Sequence, residues 1–316
     1  MKTPQFWTEQ GFLSNLLRPV GKIYAAATAW RLKSRVPHKA ERPVICIGNL
    51  TAGGTGKTPV SLSIAEMLRS MGKNPYFISR GYGGHLQNIV VNPAIHTPRQ
   101  VGDEPLLLAE VAPAVVNPDR AAAAKLAVNN GADCLVMDDG FQNPTLHKDL
   151  SFLVFDGNYG IGNGRVIPAG PLREPFAEGI KRAQAIIILG ADKHLIASKS
   201  ALPVFYGEIT EEQPAIANRN IVAFCGIGHP EKFYDSLKKC GFNVKRHFNF
   251  PDHHFYTHKQ LNIILNYAQA NKLDIYTTSK DFVKIPPKLR PHFKVLKIKI
   301  RWNDEKALQD FLTELF

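Results

Sequence analysis

The sequence predicts an α/β fold: a mostly parallel sheet covered by helices, with an amphipathic helix before it and a second, smaller α/β unit after it. Three observations carry this prediction. From Val44 onward, short apolar runs alternate with segments of helical period, the pattern of strands feeding crossover helices. A glycine-rich stretch, TAGGTGKTP, directly follows the first of those runs and opens a helical pattern. The alternation then resumes after Pro203, as expected for a second unit. With 44% hydrophobic and 21% charged residues among 316, the chain is folded rather than disordered or collagen-like, and its length suits roughly two domains. The boundaries read as a leader over 1–40, a larger unit over 41–207 and a smaller unit over 208–316.

In the leader, Phe12, Leu13, Leu16, Leu17, Val20, Ile23, Tyr24, Ala27 and Trp30 recur at steps of three and four, which marks one apolar helix face. Arg18, Lys22, Arg31, Lys33, Arg35, Lys39 and Arg42 accompany it, as on a helix lying on an anionic bilayer. Periodicity alone leaves equally open a helix packed on the protein's own core. Pro37 and Pro43 end the leader. The larger unit follows as the strand PVICIG, a helix from Val60 to Met71, PYFIS, a helix near Glu104 to Val111, PAVV, a helix from Arg120 to Asn129, and CLVM. LSFLVF and AIIILG continue the sheet around an irregular insertion, GNYGIGNGRVIPAGPLREP, whose length points to function. The smaller unit reads as strands near PVFYGEI, IVAFCGIG, DIYTTS and VLKIKI, with helices at Glu231 to Lys239 and His258 to Asn271.

Lys+Arg 39 against Asp+Glu 27 gives a net charge of +12, so the expected partners are anions: phosphorylated small molecules, nucleic acid or anionic head groups. Cys46, Cys134, Cys225 and Cys240 lie far apart without a CxxC pair, which argues against a zinc site or disulfide frame and for a reducing compartment. No run of about 20 apolar residues predicts a spanning helix. Arg18 and Lys22 interrupt the first apolar stretch, which argues against a signal peptide.

The strongest chemical signal is the loop Thr51, Ala52, Gly53, Gly54, Thr55, Gly56, Lys57, Thr58, placed between strand and helix as a phosphate-binding loop must be. Its glycines let backbone amides converge on phosphate oxygens, Lys57 neutralises the terminal phosphates, and the Thr58 hydroxyl can reach a magnesium ion. The strict pattern has glycine where Thr51 stands. Asp138 and Asp139 end the strand CLVM, the position of a carboxylate that holds magnesium opposite such a loop. The larger unit therefore reads as a P-loop NTPase-like domain. Arg80, Asp103, Arg120, Arg173, Glu174 and the cluster Asp252, His253, His254 fall at strand ends or in loops, where open α/β sheets gather ligands. Taken singly, caps and turns for Asp103 and Asp252 and surface ion pairs for the arginines are the better readings. NKLD at 271–274 resembles a guanine-reading motif, but it follows a helix and reads as a helix-to-strand turn. The DHH triplet lacks the companion ligands of a metal hydrolase.

With these motifs in place, the chain resembles the tetraacyldisaccharide 4'-kinases, the lipid A 4'-kinase family, over nearly its whole length. The likeness rests on LLRP with Tyr24, IGNLTAGGTGKTP, SRGYGG, GDEP, DRAAAA, DDGFQ, GNGRVIPAGPLREP, FCGIGHPEKF, FPDHHFY and TTSKD, in that order. The resemblance implies transfer of the ATP γ-phosphoryl group to the 4'-hydroxyl of a tetraacylated glucosamine disaccharide 1-phosphate. It implies two α/β domains around the nucleotide and a leader seated on the cytoplasmic face of the bacterial inner membrane, with no nucleic acid and no obligatory protein partner. By matching motif, Lys57 and Thr58 would hold phosphate and magnesium, and Asp138 and Asp139 would coordinate or position the magnesium. Asp103 with His253 would activate the sugar hydroxyl, and Arg120, Arg173 and Glu174 would line the phosphates. The chain departs from the family pattern at Asn143, where DDGFQH has histidine, and at Ser279, where TTEKD has glutamate. A membrane-associated nucleotide switch and a kinase of a soluble sugar or nucleoside are the competing readings. The switch leaves PAGPLREP and FPDHHFY unexplained.

Overall fold

The computed structural model describes residues 4–212 and 219–316; residues 1–3 of the expected leader and 213–218 of the expected smaller unit lie outside the described residues. The leader forms two helices, α1 (Phe12–Leu16) and α2 (Arg18–Lys33), rather than one. Pro19 sits in the first turn of α2, where its missing N–H costs nothing and its ring interrupts the run from α1.

Strand β1 (Val44–Gly48) leads through the glycine loop into α3 (Lys57–Ser70). There follow β2 (Pro75–Ser79), β3 (Ile89–Val90), α4 (Pro98–Val101), α5 (Asp103–Leu108), β4 (Ala114–Val116), α6 (Arg120–Asn129), β5 (Cys134–Asp138), β6 (Leu150–Asp156), α7 (Phe176–Ile180), β7 (Ala185–Leu189) and β8 (Val204–Glu211). The smaller unit comprises β9 (Arg219–Cys225), α8 (Pro230–Lys239), β10 (Phe242–Asn249), α9 (His258–Ala270), β11 (Asp274–Thr278), α10 (Ser279–Phe282) and β12 (Phe293–Leu296). The chain ends in β13 (Ile298–Trp302) and α11 (Glu305–Thr313).

The larger sheet has the order β13-β8-β7-β6-β1-β5-β2-β4-β3, parallel except at its edge strands β13 and β3. Its inner strands are covered on both faces, which is why they read as unbroken apolar runs. Ile45 and Ile47 pack with Val60, Ile64 and Leu68 of α3 on one face. Val44 and Cys46, pointing the other way, share a core with Ala123, Ala124 and Ala127 of α6. All four cysteines are free and buried.

The smaller sheet, β10-β9-β11-β12, is wholly parallel. Phe233 and Leu237 of α8 cover one face, and Leu261, Ile264 and Ala268 of α9 cover the other. The segment VLKIKI divides at Lys297: its first half closes the smaller sheet, and its second half crosses to pair antiparallel with β8. Leu308 and Leu312 of α11 then join the core of the larger sheet. The boundary expected at 207/208 thus falls inside β8, and residues 298–313 belong with the larger unit.

The irregular insertion seats the leader. Trp7 Nε1 donates to Pro168 O (3.0 Å), Ser14 Oγ to Ala169 O (2.7 Å), and Arg165 Nη2 to Asn15 Oδ1 (2.6 Å). Gly21 lies so close that a Cβ there would stand 2.8 Å from Val166 O. The same insertion pins the glycine loop, because Ala52 N donates to Pro171 O (2.7 Å) and Arg173 N to Leu50 O (2.7 Å).

Candidate active site

The glycine loop takes the geometry its residue types allow. Gly56, the residue before α3, has φ +88°, a conformation that costs other residues strain, and a Cβ there would meet Leu189 Cδ1 at 2.4 Å. Lys57 opens the helix, so the loop's amides and the helix N-terminus face one point. Buried Asn49 steadies the loop by donating to Thr51 O (2.7 Å) and Thr55 Oγ1 (3.1 Å). Thr51 is fully buried, bridges to Leu172, and is absent from the positive-φ residues, so this position does not require the glycine of the strict pattern.

Opposite the loop, Asp138 Oδ2 accepts from Thr58 Oγ1 (2.8 Å) and Oδ1 from Ser61 Oγ (3.0 Å). Burial, reinforced by the charge of Glu104, pushes its carboxyl up to about 7 despite Lys57. Asp139 behaves oppositely: burial favours its neutral form, but Lys57 at 3.7 Å and Arg173 Nη1 at 2.9 Å outweigh it and hold the carboxyl below the usual range. Asp139 has φ +52°, a strained conformation for a non-glycine residue that the two cations help to fix. Arg120 begins α6, is buried, donates to Asn117 O (2.7 Å), and has no partner for its Nε among the described residues. Burial, with Arg80 nearby, lowers the guanidinium to about 10.

A second cluster joins the two units. Asp103, at the start of α5 and buried, faces His253 from the loop between β10 and α9, with Nδ1 3.1 and 3.0 Å from its two carboxylate oxygens. Burial alone would raise the Asp103 carboxyl; the His253 hydrogen bond and the charges of Lys280, His253 and Lys284 lower it instead. That hydrogen bond in turn raises His253 above its ordinary value, against burial and the charge of Lys280. His253 has φ +57°, and the Tyr82 ring meets it edge-on at 5.6 Å. The clusters adjoin, since Glu104 influences Asp138 and lies 3.7 Å from Lys280. His229 of the smaller unit approaches the loop as well: Cβ atoms at Gly53 and Gly54 would lie 3.7 and 3.6 Å from its ring.

Glu174 is buried one step back. It accepts from Arg182 (2.5 Å) and Gln142 Nε2 (3.2 Å), and Gln142 Oε1 accepts from Arg173 Nη1 (3.3 Å), so it braces Arg173 through Gln142. Arg80 is exposed, and Asp252 pairs with Lys280 (3.2 Å). His254 turns away to Gln260 (3.1 Å) and stacks on Phe250, which separates it from its neighbour in the DHH triplet. The departure at Asn143 has a turn role: its Oδ1 accepts from Thr145 N (2.9 Å) and Leu146 N (3.3 Å). NKLD is the helix-to-strand turn expected, with Asn271 capping α9 and Asp274 opening β11. Among residues to which sequence reasoning gave no role are Ser61, Asn49, Gln142, Lys280 and Lys284. The TTSKD segment was the available signal for Lys280, as a charged pair directly after a buried strand.

Magnesium suits the donors present. Thr58, Asp138 and Asp139 offer hard oxygen ligands beside a phosphate site, and Asp138 is a half-buried carboxylate that its neighbours leave short of positive charge. Among the described residues no group of three or more His, Cys, Asp or Glu would cage a metal alone.

Comparison with known proteins agrees. A family model described as LpxK, tetraacyldisaccharide-1-P 4'-kinase, matches residues 13–316. A tetraacyldisaccharide 4'-kinase of Gluconobacter oxydans (strain 621H) is 45% identical, covering 100% of this chain and 98% of that protein. One from Rhodospirillum centenum (strain ATCC 51521 / SW) is 47% identical, with 100% and 97% covered. The crystal structure of LpxK from Aquifex aeolicus in complex with ATP superposes with a TM-score of 0.78 at 26% identity, covering 96% of this chain and 100% of that one.

Proposed function

Because this chain belongs to the tetraacyldisaccharide-1-P 4'-kinase family and is an ATP-dependent phosphotransferase of lipid A biosynthesis, we propose that its glycine loop binds ATP and that Asp103 with His253 activates the acceptor's 4'-hydroxyl. The carrying observation is the contact between Asp103 and His253, which joins one residue from each unit beside the phosphate loop. Asp103 holds the imidazole by Nδ1, leaving Nε2 to take the hydroxyl proton. As the sugar oxygen bonds to the γ-phosphorus, the bond from that phosphorus to the β–γ bridging oxygen breaks and ADP departs. The proton rests on His253, paired with Asp103.

Lys57, Arg120 and Arg173 supply the positive charge that a transferring phosphoryl group needs. Thr58, Asp138 and Asp139 would hold magnesium, which when bound neutralises charge on the β and γ phosphates. Thr51, Ala52, Gly53, Gly54, Thr55 and Gly56 offer the cradle, with Glu174 fixing the Arg173 side.

The leader supports a seat on the membrane surface. Phe12, Ile23 and Trp30 are 79%, 71% and 73% exposed, so the apolar stripe is turned away from the protein's own core. Among the described residues no helix is long and apolar enough to cross a membrane. An apolar stripe flanked by Arg18, Lys22, Arg31 and Lys33 suits the interface of an anionic leaflet. We place the protein peripherally on the cytoplasmic face of the inner membrane.

The test is transfer of labelled γ-phosphate from ATP and magnesium to tetraacyldisaccharide 1-phosphate in detergent micelles. Product labelled at the 4' position, lost in Lys57→Ala, is the expected result. Labelling elsewhere on the acceptor, or undiminished transfer by Lys57→Ala, would contradict the proposal.

A further inference from the structure

The outer nitrogen of His253 is already occupied. Lys280 Nζ lies 3.1 Å from Nε2, on the side of the ring opposite Asp103. An ammonium has only protons to give, so Nε2 accepts, and the neutral ring's own proton must sit on Nδ1, facing Asp103. We propose that Lys280 is a positioning residue for the base: its ammonium selects the His253 tautomer whose acceptor nitrogen is Nε2, and the incoming sugar hydroxyl replaces the ammonium at that atom. This rests on the reading of His253 as the base.

The surroundings allow the exchange. Lys280 Nζ also has Asp252 Oδ1 at 3.2 Å and Glu104 Oε1 at 3.7 Å, so it leaves Nε2 without losing all its partners. Behind the pair, buried Lys284 lies 3.9 Å from Asp103 and 2.7 Å from Asp281. Asp281 is fixed by Tyr256 Oη (2.7 Å), Gly226 N (2.9 Å) and Thr278 Oγ1 (2.8 Å). The groups facing His253 are therefore Asp103 and, behind it, Lys284 from one side, Lys280, Asp252 and Glu104 from the other, and the Tyr82 ring at its edge. Four carboxylates, Asp103, Glu104, Asp252 and Asp281, stand against two ammoniums, Lys280 and Lys284, so the cluster tolerates the imidazolium that proton transfer creates. Lys280 opposes protonation of His253 before the acceptor arrives, while Asp103 favours it. In the neutral ring Lys280 thus selects the tautomer whose acceptor is Nε2, while Asp103 makes that atom more basic.

The experiment is the pH dependence of kcat/KM for the tetraacylated acceptor at saturating ATP, for wild type, Lys280→Met, Lys280→Arg and His253→Ala. Removing the cation lets His253 bind its proton more tightly. The acid-side midpoint in Lys280→Met is expected to move to higher pH by about half a unit or more, and Lys280→Arg, which keeps the charge, is expected to stay nearer wild type. A midpoint in Lys280→Met equal to wild type, whatever the loss of turnover, would overturn the assignment while leaving the base intact. Wild-type turnover in His253→Ala would instead remove the base itself. Thermal unfolding of each variant separates a folding defect from either outcome, with Lys280→Arg as the variant that retains the charge if Lys280→Met does not fold.

Discussion

Asp103 is where the charges of both units converge, and its chemistry can be tested one atom at a time. Replacing it with asparagine keeps the shape but takes the negative charge from the acceptor whose hydrogen bond, with that charge, raises His253 above its ordinary value. A general base works only when unprotonated, so the rate rises with pH through the histidine pKa. Lowering that pKa in Asp103→Asn shifts the acid limb to lower pH, opposite in sign to Lys280→Met. Because the weakened base is also mis-held, turnover is expected to fall by about 10²-fold or more. ATP titration with both proteins should show comparable affinity. GDEP and FPDHHFY mark both residues as polar groups in loops, but 150 residues separate them, and no spacing rule pairs positions so distant. Their partnership was legible only through the family resemblance. Lys284 was not legible at all: a lysine beside Val283 and Ile285 reads as a surface charge at the edge of an apolar run, yet it is wholly buried. Only tertiary structure supplies the carboxylates that pay for it.

At the scale of elements, the leader is the part whose sequence pattern and structure agree while its surroundings differ from a core helix. Burying three large apolar side chains in an interface contributes about 1.5–3 kcal/mol each, so the triple variant Phe12→Ser, Ile23→Ser, Trp30→Ser should bind anionic vesicles at least about tenfold more weakly. Turnover in detergent should change little, since these side chains support nothing in the fold. Vesicle cosedimentation beside a micellar assay distinguishes the two effects. The buried strands of the larger sheet were legible because both faces are covered. Strand β10 was missed because it lies at a sheet edge, with Lys245, Arg246 and His247 exposed in an irregular pattern. VLKIKI was seen as one strand because nothing local at Lys297 says that the chain changes sheets there.

For the molecule as a whole, the net charge of +12 adds a long-range attraction to the short-range insertion of the leader. Raising salt from about 0.1 to 1 M shortens the screening length from about 10 to 3 Å. Binding to anionic vesicles should therefore weaken with salt far more than binding to neutral ones, which flotation at both salt concentrations would show; equal sensitivity would mean that the charge plays no part. The connection between the units has its own consequence. The chain leaves the larger sheet along β8 and returns along its antiparallel neighbour β13, with Glu211 opposite Ile298 and Glu212 N bonded to Lys297 O at 3.1 Å. The smaller unit is thus tied to the larger sheet by two strands lying side by side. His253 and Lys280 come from that unit and Asp103 from the other, so the base exists only while the two units are together. One distance between labels on α5 and α9 would report whether the two halves of the base are together.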